Sequence, residues 1–184
     1  MKALGLIGEP CVGKTSVVRA VIGNRVVKHG RYNTCRWTEV PILNLWILGV
    51  YDGHVCDGTD RLSMNCYTDS IEAVKWIKNE SPDANLLWEG DRMNNRKWLN
   101  SIVEVGVVPI LWCLVAMEGT MTNRRRLRMS KQSSRWAIGI RTKVASITAE
   151  YSAHYIDMTE DGSDKVVASR ILDHFGVNGL QEAE

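Results

Sequence analysis

The residues Gly8-Glu9-Pro10-Cys11-Val12-Gly13-Lys14-Thr15 match the pattern G-x-x-x-x-G-K-[ST] at every defined position. Glycines let a backbone curl until its N–H groups surround a polyphosphate. A lysine at the seventh position reaches the β- and γ-phosphates, and the hydroxyl after it ligates Mg²⁺. On this pattern Gly8, Glu9, Pro10, Cys11, Val12, Gly13, Lys14, Thr15 and Ser16 are the expected triphosphate-binding residues. Lys14 compensates charge during transfer, and Thr15 is a metal ligand. ATP, as a purine triphosphate, and Mg²⁺ are the cofactors this implies. A dinucleotide is not, because the acidic partner of a G-x-G-x-x-G fingerprint is absent.

Two further polar clusters carry groups suited to the other half of a phosphoryl transfer. Leu86-Leu87-Trp88-Glu89-Gly90-Asp91-Arg92 sets two carboxylates and an arginine just past an apolar strand, where open α/β sheets bind ligands. Glu89 is expected to hold Mg²⁺ through water or to act as general base, and Arg92 to hold the acceptor or the moving phosphate through its bidentate fork. Asp91 equally suits a helix cap. In Gly58-Thr59-Asp60-Arg61-Leu62-Ser63, Asp60 is placed to accept the proton of an attacking hydroxyl and Arg61 to clamp a phosphate or base edge. The same residues also suit a type I turn followed by a cap.

Positive charge concentrates in one place. Arg124, Arg125, Arg126, Arg128, Lys131, Arg135, Arg141 and Lys143 fall within 20 residues, with no Asp or Glu between Met121 and Ala149. An arginine supplied by a closing segment stabilises charge on the transferring phosphoryl group. Arg124 is expected at the nucleotide and Arg128 at the transferred group. Arg135, Arg141 and Lys143 are expected on the substrate, with Trp136 placed to stack on a base. A solvated basic face explains the same charges less specifically.

The phosphate loop, the acidic strand end followed by arginine, and the arginine-rich segment together resemble the P-loop nucleoside and nucleotide kinases, in element order over nearly the whole chain. The resemblance implies an ATP-dependent phosphotransferase with a three-layer α/β fold, a mostly parallel sheet and a basic helical lid at about residues 119–145. Gly58-Thr59-Asp60-Arg61-Leu62-Ser63, Glu89-Gly90-Asp91-Arg92 and Arg141-Thr142-Lys143 are more narrowly similar to small kinases of tailed phages. Some of these phosphorylate 5-hydroxymethyluracil within DNA, which would make DNA carrying a modified pyrimidine the partner. A deoxynucleoside monophosphate kinase acting on free nucleotides is the alternative. A nucleotide-dependent switch without transfer chemistry is the reading from another class. A GTPase fits poorly, since the base-reading N-K-x-D is missing.

The elements that must position these groups follow from hydrophobic periodicity. Lys2–Ile7 reads as a strand, and Val17, Val18, Val21 and Ile22 as one helical face stopped at Gly23-Asn24. Residues 31–51 read as strands with a hairpin, and 52–60 as a loop. A helix carrying Ile71, Val74 and Ile77 is expected to be capped by Thr68 or Asp69 with Glu72, and to end at Pro82. Asn85–Trp88 is a short strand, and Trp98, Leu99, Ile102 and Val103 face one way on a helix. Pro109–Ala116 is expected to be a central, doubly buried strand. A basic helix from about Thr122, another around Val144, Ile147 and Tyr151, a strand near Tyr155-Ile156 and a helix ending at Gly176 complete the alternation. Alternation of this kind calls for crossovers and a parallel sheet. Trp46, Trp76, Trp88, Trp98 and Trp112 fall on apolar positions and are expected in the core.

Composition fits one folded domain over residues 1–184, with 45% apolar and 24% charged residues. A net charge of +2 is too weak to prove a nucleic-acid or membrane partner. Five cysteines, an odd number with no C-x-x-C spacing, and four unclustered histidines imply neither disulfides nor a zinc site. The apolar run from Ala3 to Ile7 is too short for a signal peptide or a membrane span. A soluble cytoplasmic protein is expected, in the host cytoplasm if phage-encoded, and no protein partner follows from the sequence.

Overall fold

A computed structural model describes residues 1–53, 57–63, 66–127, 133–160 and 162–177. The strands are β1 (Lys2–Gly8), β2 (Lys28–Tyr32), β3 (Cys35–Val40), β4 (Leu45–Leu48), β5 (Asn85–Glu89), β6 (Pro109–Val115) and β7 (His154–Asp157). The helices are α1 (Lys14–Ile22), α2 (Tyr67–Glu80), α3 (Arg96–Glu104), α4 (Glu118–Leu127), α5 (Ser134–Glu150) and α6 (Ser163–Phe175). The strands form one sheet in the order β2-β3-β4-β5-β1-β6-β7. β4, β5, β1, β6 and β7 run parallel, while β2 and β3 add an antiparallel ribbon at one edge.

Each face of the sheet carries its own core. Leu4 and Leu6 of β1 pack with Val17, Val18 and Val21 of α1 and with Val167, Ile171 and Phe175 of α6. Ala3 and Ile7, one residue out of phase, join Ile71, Val74, Trp98, Leu99 and Ile147 from α2, α3 and α5. A sheet covered on both faces is the expected three-layer α/β arrangement. Gly5 makes room on β1 for its register partner Trp88: a Cβ there would lie 2.6 Å from the indole. Trp88 then meets Trp98 edge-on at 4.7 Å between ring centres.

Several expectations need correction. The doubly buried strands are β1, β4 and β5, whereas β6 is buried only in part, with Ile110 and Val115 more than a third exposed. Only the four-residue β7 lies outside β6, so the outer part of the sheet is incompletely covered. Asp69 does not cap α2, which begins at Tyr67 after Cys66. Its carboxylate instead accepts from Thr34 and Asn33 in the β2–β3 turn, which holds it below the usual aspartate range. The basic helix starts at Glu118, four residues earlier than Thr122. Trp76 is 38% exposed, stacked on Trp37 and edge-on to Trp46. Among the described residues no helix is long and apolar enough to cross a membrane.

Candidate active site

Because five strands run parallel, the loops that follow them emerge on one edge of the sheet, and β1 stands where the chain changes sides, with β5 on one flank and β6 on the other. That is where an open α/β sheet offers a crevice. The residues 8–15 segment turns there with positive φ at Gly8, Cys11 and Gly13. A Cβ on Gly8 would lie 2.5 Å from the Leu114 carbonyl oxygen of β6. α1 then starts at Lys14 with no side-chain cap and no acid in its first turn, an end whose leading N–H groups could accept an anion. Lys14 Nζ lies over the loop and donates to the carbonyls of Gly8 and Glu9 at 2.8 and 2.9 Å.

Glu89, at the end of β5, reaches the first turn of this loop's helix. It is 5% exposed, and its Oε1 accepts from Thr15 Oγ1 at 3.2 Å and from the Tyr51 hydroxyl at 3.3 Å. A hydroxyl and a carboxylate meeting in this way fit Mg²⁺, which keeps much of its water and needs only one or two protein oxygens beside phosphate. Thr15 and Glu89 are the residues that would hold it. The strand end is braced from behind: Trp88 Nε1 donates to Asn94 Oδ1, and Asn94 Nδ2 donates to the Leu6 carbonyl of β1.

The loop after β4 rises beside Glu89. Its turn Thr59–Arg61 carries Asp60, and Thr59 Oγ1 donates to the Glu89 carbonyl at 2.8 Å. Gly58 has a φ of 96° and passes so close to Glu89 Oε1 that a Cβ there would be strained and would displace the carboxylate. Arg61 pairs with Asp52. Arg92 donates to the Leu62 carbonyl, tying the loop after β5 to the loop after β4.

The basic segment folds over the phosphate loop from the other side. Arg124 donates to the carbonyls of Val12 and Met158. Glu9 accepts from Arg141 Nε at 2.9 Å and NH2 at 3.2 Å, and from Arg125 at 3.5 Å. This carboxylate raises the Arg141 pKa. Lys143 donates to the Asp91 carbonyl. α5 is capped by Ser133, which accepts from the Trp136 N–H, and Arg135 and Trp136 are exposed on its first turn. Arg128 and Lys131 lie outside the described residues. Asp91 does not cap α3; Asn95 does. No cluster of metal-ligating side chains occurs among the described residues.

Sequence reasoning passed over Asp57, Arg19 and Tyr51. Arg19 stands four residues after Thr15, hence on the same face of α1, which was the available signal. Asp57 gave none, because the partner that ties it to α1, Arg19, lies 38 residues away in the chain.

No protein-family profile matches the chain, and no curated protein matches it. Among solved structures, a tunicamycin resistance protein of Deinococcus radiodurans aligns with a TM-score of 0.58 at 14% identity, over 96% of this chain and 97% of that one. A sugar kinase from a Janibacter species gives 0.49 at 11% identity, over 97% and 96%. The first likeness spans both chains end to end and shows a shared fold.

Proposed function

We propose that this chain is an ATP-dependent phosphotransferase acting on a nucleotide-type acceptor. The observation that carries this reading is the meeting of Thr15 and Glu89 at 3.2 Å beside an uncapped phosphate loop. A bare glycine-rich turn would not need a buried carboxylate there. Bound ATP supplies the electrophilic γ-phosphorus, with Mg²⁺ neutralising charge on its oxygens. Lys14 and the loop amides hold the phosphate chain. Glu89 and Thr15 orient the metal side, Asp60 takes the proton of the acceptor hydroxyl, and Arg124 lies against the loop to meet charge that develops on transfer. The acceptor oxygen bonds to phosphorus as the bridging oxygen leaves with ADP. Arg61 and Arg92, on the loops after β4 and β5, are the arginines this reading assigns to the acceptor.

The finer reading takes that acceptor to be the hydroxymethyl group of 5-hydroxymethyluracil in DNA. Its support is Trp136, 37% exposed on α5, beside exposed Arg135, with exposed Arg126 on α4. An indole among cations suits a stacked base between phosphates. Arg124, Arg125, Arg141 and Lys143 are bonded to residues of the phosphate loop and the strand end, which also suits a lid over a free deoxynucleoside monophosphate.

Labelled ATP, incubated with hydroxymethylated duplex DNA, with the same DNA lacking that group and with free monophosphates at several salt concentrations, separates these readings. Transfer to modified DNA that weakens with salt supports the DNA acceptor. Transfer to monophosphates alone establishes the lid reading, and slow hydrolysis without transfer leaves a switch. Lys14→Ala should lower turnover by about 10³-fold with an unchanged circular dichroism spectrum; wild-type turnover would remove the loop from the mechanism.

A further inference from the structure

Of the three aspartates in the loop after β4, Asp57 has a side chain with no exposure at all. Its Oδ2 accepts from Arg19 Nε at 3.0 Å, Arg19 NH2 at 2.8 Å and the Gly53 N–H at 3.2 Å. Its Oδ1 accepts from the Asp52 N–H at 3.4 Å and lies 3.8 Å from Arg61. A carboxylate so enclosed and so fully bonded has no face left for a substrate, which rules it out as a base. Burying it is costly unless partners surround it, and stability alone would be served as well by apolar packing.

What the pair adds is direction. Arg19 belongs to α1, on the face that also carries Thr15, while Asp57 belongs to the loop. A guanidinium fork fixes the angle as well as the distance between them. The two residues after Asp57 are the ones that touch Glu89: Gly58 lies against its carboxylate and Thr59 donates to its carbonyl. Glu89 in turn faces Thr15. The circuit closes from α1 through Asp57, Gly58 and Thr59 to Glu89 and back to α1.

We propose that Asp57, gripped by Arg19, is a positioning residue that sets the loop after β4 against α1 and so keeps Glu89 opposite Thr15. This rests on the phosphotransferase reading for its consequence in catalysis, but not for its geometry.

The test compares the full chain with its Asp57→Asn and Arg19→Lys variants in three measurements. These are labelled phosphate transfer across a Mg²⁺ titration, binding of a fluorescent ATP analogue, and amide hydrogen exchange. Asp57→Asn should lower kcat by about 30- to 100-fold, as misplacement of an aligned group does, with analogue affinity within about three-fold of wild type. The half-saturating Mg²⁺ concentration should rise several-fold, a change that loss of stability alone would not produce. Exchange should accelerate by about ten-fold at residues 58–62 and 90–91 and stay constant at 12–17. Arg19→Lys, which keeps the charge and loses the fork, should give the same pattern with a smaller loss, and it carries the test if the asparagine variant does not fold. Unchanged kcat and Mg²⁺ dependence, or an exchange increase spread evenly over the chain, would overturn the proposal. If the wild-type protein transfers phosphate to no acceptor, it is the phosphotransferase reading that fails. The exchange pattern then decides alone, localised for positioning and uniform against it.

Discussion

The phosphate loop has two walls, and they are built differently. On the sheet side Glu89 is buried, bonded to Thr15 and Tyr51, and backed by Asn94 and the enclosed Asp57. On the other side, the proposed lid of α4 and α5, Glu9 meets Arg125 and Arg141, whose side chains are 28% and 50% exposed. Both walls are carboxylates facing cations or hydroxyls, yet the sheet wall resists displacement while the lid wall is in reach of water and salt. Chemistry that depends on sub-ångström placement belongs on the first wall. In the proposed function, a segment that opens to admit nucleotide belongs on the second.

The sharpest break of this contrast is Glu89→Gln. It removes the negative charge while keeping the shape, and kcat should fall by about 10²- to 10³-fold. Partial recovery at raised Mg²⁺ would assign the carboxylate to the metal, and the readout is initial rate against Mg²⁺ concentration. Full activity in this variant would put the chemistry elsewhere. Glu9→Gln probes the other wall. It releases two arginines from a competing carboxylate, so KM for ATP should fall by about two- to five-fold, with kcat and melting temperature nearly constant. That gain should vanish in high salt; a large loss of kcat would mean that the two walls are equally fixed. The smallest effect is expected from Asp69→Asn, outside both walls. Hydrogen bonds from Thr34 and Asn33 depress the Asp69 pKa. A group depressed in the folded state adds stability above its unfolded pKa and loses it as pH falls through the folded one. Wild type should therefore be slightly more stable at neutral pH, with the difference closing below about pH 4 in denaturant titrations and no change in activity.

How much of this was legible beforehand depended on range. The phosphate loop was readable because glycine turns, a lysine and a hydroxyl act within eight residues, and Glu89 because a strand end is visible as an apolar run that stops. β6 misled because Ile110, Leu111, Trp112, Cys113, Leu114 and Val115 are apolar whichever face they take. Burial depends on what packs outside the strand, and β7 is short and exposed. Asp69 reads as a cap within its own segment, but its partners sit 35 residues away in the β2–β3 turn. The arginine-rich stretch was read as a lid over phosphate with a surface for substrate. Four of its cations are bonded to carbonyls or a carboxylate at the phosphate loop and the strand end, an arrangement that composition cannot specify.

The place of β1 in the sheet bears on the order in which the protein can assemble during translation. β1 ends at Gly8, yet its neighbours are β5, which ends at Glu89, and β6, which ends at Val115. At roughly 5–20 residues per second, the ribosome takes roughly 4–16 s to make the stretch from Gly8 to Glu89, and longer to reach β6. Through that interval Ala3, Leu4, Leu6 and Ile7 belong to a strand with two open edges, the form most prone to pairing with another chain. Nascent chains stalled before Glu89 should therefore aggregate most, those stalled between Glu89 and Val115 less, because β5 can close one edge of β1 before β6 closes the other.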